Sequence, residues 1–166
     1  MHHVWTAERA VRHARNLSWN AGRAQVRALV DFYMSNAKLI RDGLTLNGYF
    51  AQPPNAKGLV LLVHGGPWGR DRWGYNATHQ WLANRGYAVL SVNFRGSTGF
   101  GKKFVNAGDR EWAGKMHDDL IDAVNWAVKN GISDKGQVGV MGGSYGGFAT
   151  LVGLTFTPDT FACGVD

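Results

Sequence analysis

The chain has 166 residues, 45% apolar and 18% charged, enough to bury one ordinary globular core and too apolar for a disordered or low-complexity segment. Its formal net charge of +6 forms no basic run and carries no aromatic-basic motif, which argues against a nucleic-acid partner and for a solvated surface. The single cysteine, Cys163, cannot make an internal disulfide, and no paired Cys/His spacing offers a structural metal site.

No apolar run follows Met1-His2-His3-Val4-Trp5, and no stretch approaches the length of a membrane span, so the expectation is a cytoplasmic protein that stays off the membrane. Residues 1–36 hold Arg9, Arg12, Arg15, Arg23 and Arg27 against only Glu8 and Asp31, with apolar residues near helical spacing. They read as a helical segment distinct from residues 37–166. A transit peptide, the remnant of a preceding domain and an accessory helix all fit it, and it is assigned no function.

From Ala37 the pattern becomes strand and turn. Lys38 to Arg41 and Leu44 to Ala51 flank Asp42-Gly43, a hairpin signal. After the breaker Gln52-Pro53-Pro54-Asn55, the run Leu59-Val60-Leu61-Leu62-Val63 predicts a strand buried on both faces, as in a parallel sheet. Ala77 to Arg85 predicts a helix with Ala77, Trp81 and Leu82 on its buried face, stopped by Gly86 and followed by the strand Tyr87 to Phe94. Residues 118–130 predict a second helix. Asp118 and Asp119 fall in its first turn, and Leu120, Ile121, Val124 and Val128 form its buried stripe. The strand Val138 to Met141 then turns through Gly142 to Gly147 into an apolar helix reaching about Leu154, and Phe161 to Val165 begins another strand. Alternation of this kind is an α/β fold with a mostly parallel sheet and helices on both faces.

The turn Gly142-Gly143-Ser144-Tyr145-Gly146 satisfies G-x-S-x-G between a strand and a helix, the context that a nucleophile elbow requires. A serine at the tip of so sharp a turn takes a strained backbone conformation, and side chains at Gly142 and Gly146 would collide with the adjoining strand and helix. Ser144 is therefore the candidate nucleophile. His64-Gly65-Gly66-Pro67 follows the strand Leu59 to Val63, where an oxyanion hole needs backbone N–H groups that a substrate can approach. The N–H groups of Gly66 and Tyr145 are the proposed pair, since Pro67 has none to donate.

Three motifs together carry a likeness: His64-Gly65-Gly66-Pro67-Trp68; Asn93-Phe94-Arg95-Gly96-Ser97-Thr98-Gly99-Phe100-Gly101; and Gly142-Gly143-Ser144-Tyr145-Gly146-Gly147. With Glu111-Trp112 and Asp118-Asp119-Leu120 between them, residues Lys38 to Asp166 resemble the catalytic domain of the prolyl oligopeptidase family of serine peptidases, especially its acylaminoacyl-peptidase-like branch. The resemblance implies an α/β-hydrolase fold, acylation of Ser144, an oxyanion held at Gly66 and Tyr145, short peptides as substrates, and no cofactor, metal or organic. It implies too that His64 supports the loop and is not the general base. His79 and His117 are expected at the surface, and Arg95 either contacts substrate or makes a structural pair.

No histidine follows Ser144, and only Asp159 and Asp166 are acidic after it, whereas the fold's triad runs in the order Ser, Asp or Glu, His. The expectation is an α/β-hydrolase domain incomplete at its C-terminus, with peptidase activity impaired for want of the acid and base, and with self-association through an exposed sheet edge. Two other readings stay open: a carboxylesterase or lipase using the same elbow, and a non-catalytic fragment that keeps only the fold.

Overall fold

The computed structural model describes residues 34–166, and the Arg-rich N-terminal stretch up to residue 33 lies outside them. Strands β1 (Met34–Arg41) and β2 (Leu44–Ala51) form the hairpin, with β1 beginning four residues before the predicted Lys38. Asp42 and Gly43 have φ of 50° and 73°, the left-handed pair that matches a two-residue turn to strand twist. The remaining strands are β3 (Leu59–Val63), β4 (Ala88–Asn93), β5 (Val138–Gly142) and β6 (Cys163–Val165). All six join one sheet in the order β1-β2-β4-β3-β5-β6. Strands β4, β3, β5 and β6 run parallel, and the β1–β2 hairpin attaches antiparallel to β4. The strands expected at Leu59 to Val63, Tyr87 to Phe94 and Val138 to Met141 are thus β3, β4 and β5, three neighbours at the centre of the sheet.

Helices α1 (Ala77–Ala83), α2 (Lys102–Asn106), α3 (Lys115–Lys129) and α4 (Tyr145–Phe156) connect them. Side chains of β4 alternate between faces. Leu90 and Val92 join the core with Leu120 and Ala123 of α3 and Ala149 of α4, while Ser91 faces the other way and bonds His79 of α1. The helices therefore cover both faces of the sheet. Leu61, Leu90, Phe94 and Leu120 are fully or almost fully buried, each worth about 1.5–3 kcal/mol relative to exposure. In β3 the burial is graded: Leu59, Leu61 and Val63 are buried, whereas Val60 and Leu62 are half-buried.

Helix α1 turns a different face inward than expected. His79, Leu82 and Ala83, at i, i+3 and i+4, are buried, and Trp81 is half exposed under the Arg85 guanidinium, 4.1 Å from the ring centroid. Asn76 caps the helix through its side-chain oxygen, which accepts from the N–H groups of Thr78 at 2.9 Å and His79 at 3.1 Å. Helix α3 starts at Lys115, three residues before the predicted start, and its stripe is Met116, Leu120, Ala123, Val124 and Ala127, with Ile121 and Val128 at the half-buried margin. No helix among the described residues is long and apolar enough to cross a membrane.

Candidate active site

Ser144 lies where β5 passes into α4, at φ 57° and ψ −121°, a region that costs an L-residue about 1–3 kcal/mol unless its surroundings enforce it. Two of the surrounding glycines, Gly142 and Gly146, are packed too closely for any side chain. A Cβ on Gly142 would lie 2.7 Å from the backbone of Gly146 and from the Val63 carbonyl oxygen, and one on Gly146 would run into that same carbonyl. Gly143 is exposed, with open space where a Cβ would be. Although Ser144 stands at the cap position of α4, its hydroxyl makes no capping bond, and the residue is exposed. The side chain is left free toward solvent at the positive end of a helix.

The β3 loop comes up beside it. A Cβ on Gly65 would touch Ser144 Cβ at 3.4 Å and stand 3.9 Å from its Oγ. The loop folds back on itself, leaving Gly69 only 2.8 Å of room against the Gly65 carbonyl oxygen. Gly66, at φ 129°, occupies a conformation reserved for glycine, and among the described residues neither its N–H nor that of Tyr145 enters a turn, loop or cap hydrogen bond. The first N–H groups of a helix lack intrahelical acceptors, so Tyr145 N–H is open to an external one.

Both ring nitrogens of His64 have partners other than Ser144. Its Nδ1 is 2.8 Å from the Gly65 carbonyl oxygen and its Nε2 is 2.9 Å from Ser97 Oγ, while the ring stacks on Phe94 with centroids 4.5 Å apart. Because a carbonyl can only accept, Nδ1 carries the proton and Nε2 accepts from the serine hydroxyl. Burial pushes the His64 pKa down, against a weaker upward pull from the Gly65 bond, so the ring is held neutral. The Tyr145 ring is buried against Phe94, Trp112 and Phe148, with centroids 4.9–5.8 Å away. Burial pushes its phenol up, and the Asp119 charge adds to the shift.

Of the two expectations for Arg95, the structural pair is the one found. Its Nε and Nη2 donate to the two oxygens of Asp119 at 2.9 and 2.7 Å, its own backbone N–H donates to Asp119 at 2.8 Å, and Nη1 reaches Asp42 at 3.2 Å. Both Arg95 and Asp119 are buried. Hydrogen bonding to Asp119 raises the Arg95 pKa, so the guanidinium stays charged. Asp119 is thus no solvated first-turn residue, although its neighbour Asp118 remains accessible and pairs with Arg41.

His79 and His117 are buried, against the expectation of surface residues. His79 Nε2 lies 2.6 Å from Ser91 Oγ and His117 Nε2 lies 3.0 Å from Thr157 Oγ1. Burial lowers both pKa values, that of His79 to about 4. The sequence also gave no sign of Asp71, whose peptide is pinned to the Asn93 side chain by bonds of 2.8 and 3.3 Å and whose carboxyl is pushed up to about 7 by burial. Asn93 ends β4, and an asparagine closing a buried strand is the one clue that the site's loop is tied there.

Residues 73–166 match the prolyl oligopeptidase family, a span that includes Ser144 and leaves out the loop of Gly66. The chain is 67% identical over 137 residues to dipeptidyl aminopeptidase BIII of Pseudoxanthomonas mexicana, with 76% of this chain and 20% of that protein covered. It is 50% identical over 151 residues to dipeptidyl peptidase family member 6 of Caenorhabditis elegans, again covering 76% and 20%. Among solved structures, an acylaminoacyl peptidase of Pyrococcus horikoshii superposes with a TM-score of 0.75 at 26% identity over 80% of this chain and 22% of the other. A puromycin-hydrolyzing peptidase of Mycobacterium tuberculosis gives 0.73 at 30% identity over 80% and 22%. The chain spans about a fifth of the length of these relatives.

Proposed function

The chain belongs to the prolyl oligopeptidase family, and from that premise we propose that it supplies the nucleophile and oxyanion hole of a serine peptidase acting on short peptides. Ser144 Oγ attacks the scissile carbonyl, and the negative oxygen that forms is held by the N–H groups of Gly66 and Tyr145. Gly142, Gly143 and Gly146 shape the elbow. The observation that carries this reading is the uncapped, exposed Ser144 held at φ 57° on the β5–α4 turn, with Gly65 close beside it.

The base the reaction requires has no free candidate near Ser144 among the described residues. The His64 nitrogens are both engaged, and no histidine follows Ser144 in the 166 residues. As a separate chain, these residues bind and stabilise better than they transfer protons, so peptide hydrolysis is impaired. We place the chain in the cytoplasm, which its single cysteine suits, and assign it neither a nucleic-acid nor a membrane partner. Self-association is supported by β6, which among the described residues pairs with β5 alone, and by the exposed Leu151, Phe156 and Val165.

The test is covalent labelling with an alkyl fluorophosphonate followed by peptide mapping. Modification at Ser144, lost in Ser144→Ala, is the expected result; modification elsewhere or none at all overturns the assignment.

A further inference from the structure

The proposed oxyanion loop is held at two points by a single buried turn. Ser97 is fully buried, and its hydroxyl donates to His64 Nε2 at 2.9 Å, while the opposite ring nitrogen grips the Gly65 carbonyl at 2.8 Å. One residue on, the Thr98 N–H donates to the Gly69 carbonyl at 2.8 Å. Gly66 lies between these anchors. The turn is itself rigid: the Arg95 backbone and side chain are tied to Asp119, Gly96 N–H donates to the Phe104 carbonyl at 3.0 Å, and Ser97 N–H donates to the Phe94 carbonyl at 3.0 Å. Phe94 also touches the other half of the hole, since its ring stacks on His64 on one side and packs against Tyr145, 5.2 Å away, on the other.

We infer that Ser97 is a positioning residue for the oxyanion hole, fixing the tautomer and orientation of His64 so that His64 holds Gly65, and with it the Gly66 N–H, in place beside Ser144. With the Nδ1 proton given to the Gly65 carbonyl, Nε2 is a pure acceptor, and the Ser97 hydroxyl satisfies it, adding a second bond that favours this tautomer and fixes the ring plane. Without that hydroxyl Nε2 loses its hydrogen-bond partner, the ring is bonded only to the Gly65 carbonyl, and ring and loop gain freedom to shift together. A shift of the order of an ångström in an aligned donor slows the chemical step far more than it weakens binding. The inference rests on the roles proposed above for Ser144 and Gly66.

Two readouts on the full chain test it. In the ¹⁵N-labelled protein, the His64 ring nitrogens report the proton on Nδ1, and in Ser97→Ala both the ring pattern and the Gly65 and Gly66 amide shifts change. With a fluorophosphonate, the saturating labelling rate of Ser144 falls about tenfold in Ser97→Ala while the half-saturating probe concentration stays within about twofold. Ser97→Thr, which keeps the hydroxyl, restores the rate. Near-UV circular dichroism confirms that each variant is folded. A proton on Nε2 in the wild type, or an unchanged labelling rate and unchanged amide shifts in Ser97→Ala, overturns the inference. If wild-type Ser144 is never labelled, the nucleophile assignment falls instead, and the ring-nitrogen spectra decide this proposal alone.

Discussion

Gly65 faces Ser144 so closely that one added methyl group would stand 3.9 Å from the serine Oγ. On the proposed mechanism, that methyl would stand in the path of the carbonyl carbon that Ser144 attacks. The backbone of Gly65 is not in the left-handed region, so alanine is conformationally allowed there, with its tightest contact 3.3 Å from the Gly143 carbonyl oxygen. Gly65→Ala is therefore expected to keep the fold while slowing fluorophosphonate labelling of Ser144 by roughly 10²-fold. Labelling at the wild-type rate would show that substrate approaches Ser144 from another side.

Arg95 and Asp119 form a buried pair whose halves depend on each other. Arg95→Met leaves a buried carboxylate uncompensated and costs about 3–5 kcal/mol in urea denaturation. Adding Asp119→Leu removes the stranded charge. What then remains is the Arg95 backbone N–H without its acceptor, a loss of about 1–3 kcal/mol. The double variant should thus be more stable than Arg95→Met alone, and equal or lower stability would mean the pair does not act as a charge pair.

His79 makes the fold sensitive to acid. Its folded pKa is lowered to about 4 from an ordinary 6.5, so between those values the unfolded chain takes up a proton that the folded one refuses. Stability accordingly rises with pH across that window and is fully present above about pH 7. The loss on acidification to pH 4 is on the order of 3 kcal/mol. His64 and His117 add to the trend, and Asp71, raised to about 7, opposes it. His79→Gln isolates the one residue, because the other groups titrate in both proteins. The wild type should lose melting temperature faster than the variant between pH 7 and pH 4.5, and parallel profiles would refute a neutral buried His79.

Local signals carried the sequence reading furthest. Gly142 and Gly146 mark a turn with no room for a side chain at either position, and the apolar runs from Leu59 and Tyr87 announce strands β3 and β4 without reference to the rest of the chain. Non-local pairings were beyond it. Arg95 and Asp119 are 24 positions apart, and Asp119 beside Asp118 looks like ordinary first-turn charge until the fold buries one and exposes the other. The expectation for His79 fails for a related reason: Trp81 outranks it in hydrophobicity, but Ser91 waits on β4 as a partner for Nε2, and a polar ring with one bonded nitrogen takes the buried face. The link from Ser97 to His64 spans 33 positions and needed coordinates to be seen.

Hydrolysis by the 166-residue chain should divide sharply by leaving group. A peptide amide needs its departing nitrogen protonated, and His64, the histidine beside the site among the described residues, has one nitrogen on a carbonyl and the other on Ser97. Loss of the triad histidine in a comparable serine peptidase costs about 10⁶-fold in turnover, which puts amide cleavage by this chain at the edge of detection. An activated ester departs as a stable anion and needs no such proton. For it, the proposed nucleophile and N–H pair would still orient the carbonyl and stabilise the tetrahedral oxygen, so slow hydrolysis above background is expected. Wild type and Ser144→Ala are compared on a p-nitrophenyl ester and on the matching p-nitroanilide of a short acylated peptide. The ester rate should fall to background in Ser144→Ala, and the anilide should show no difference between the two proteins. Ser144-dependent anilide turnover at a rate typical of a peptidase would mean that a residue of this chain acts as base. Loss of that turnover in His64→Gln would then identify His64 and require its bonds to Gly65 and Ser97 to break during catalysis.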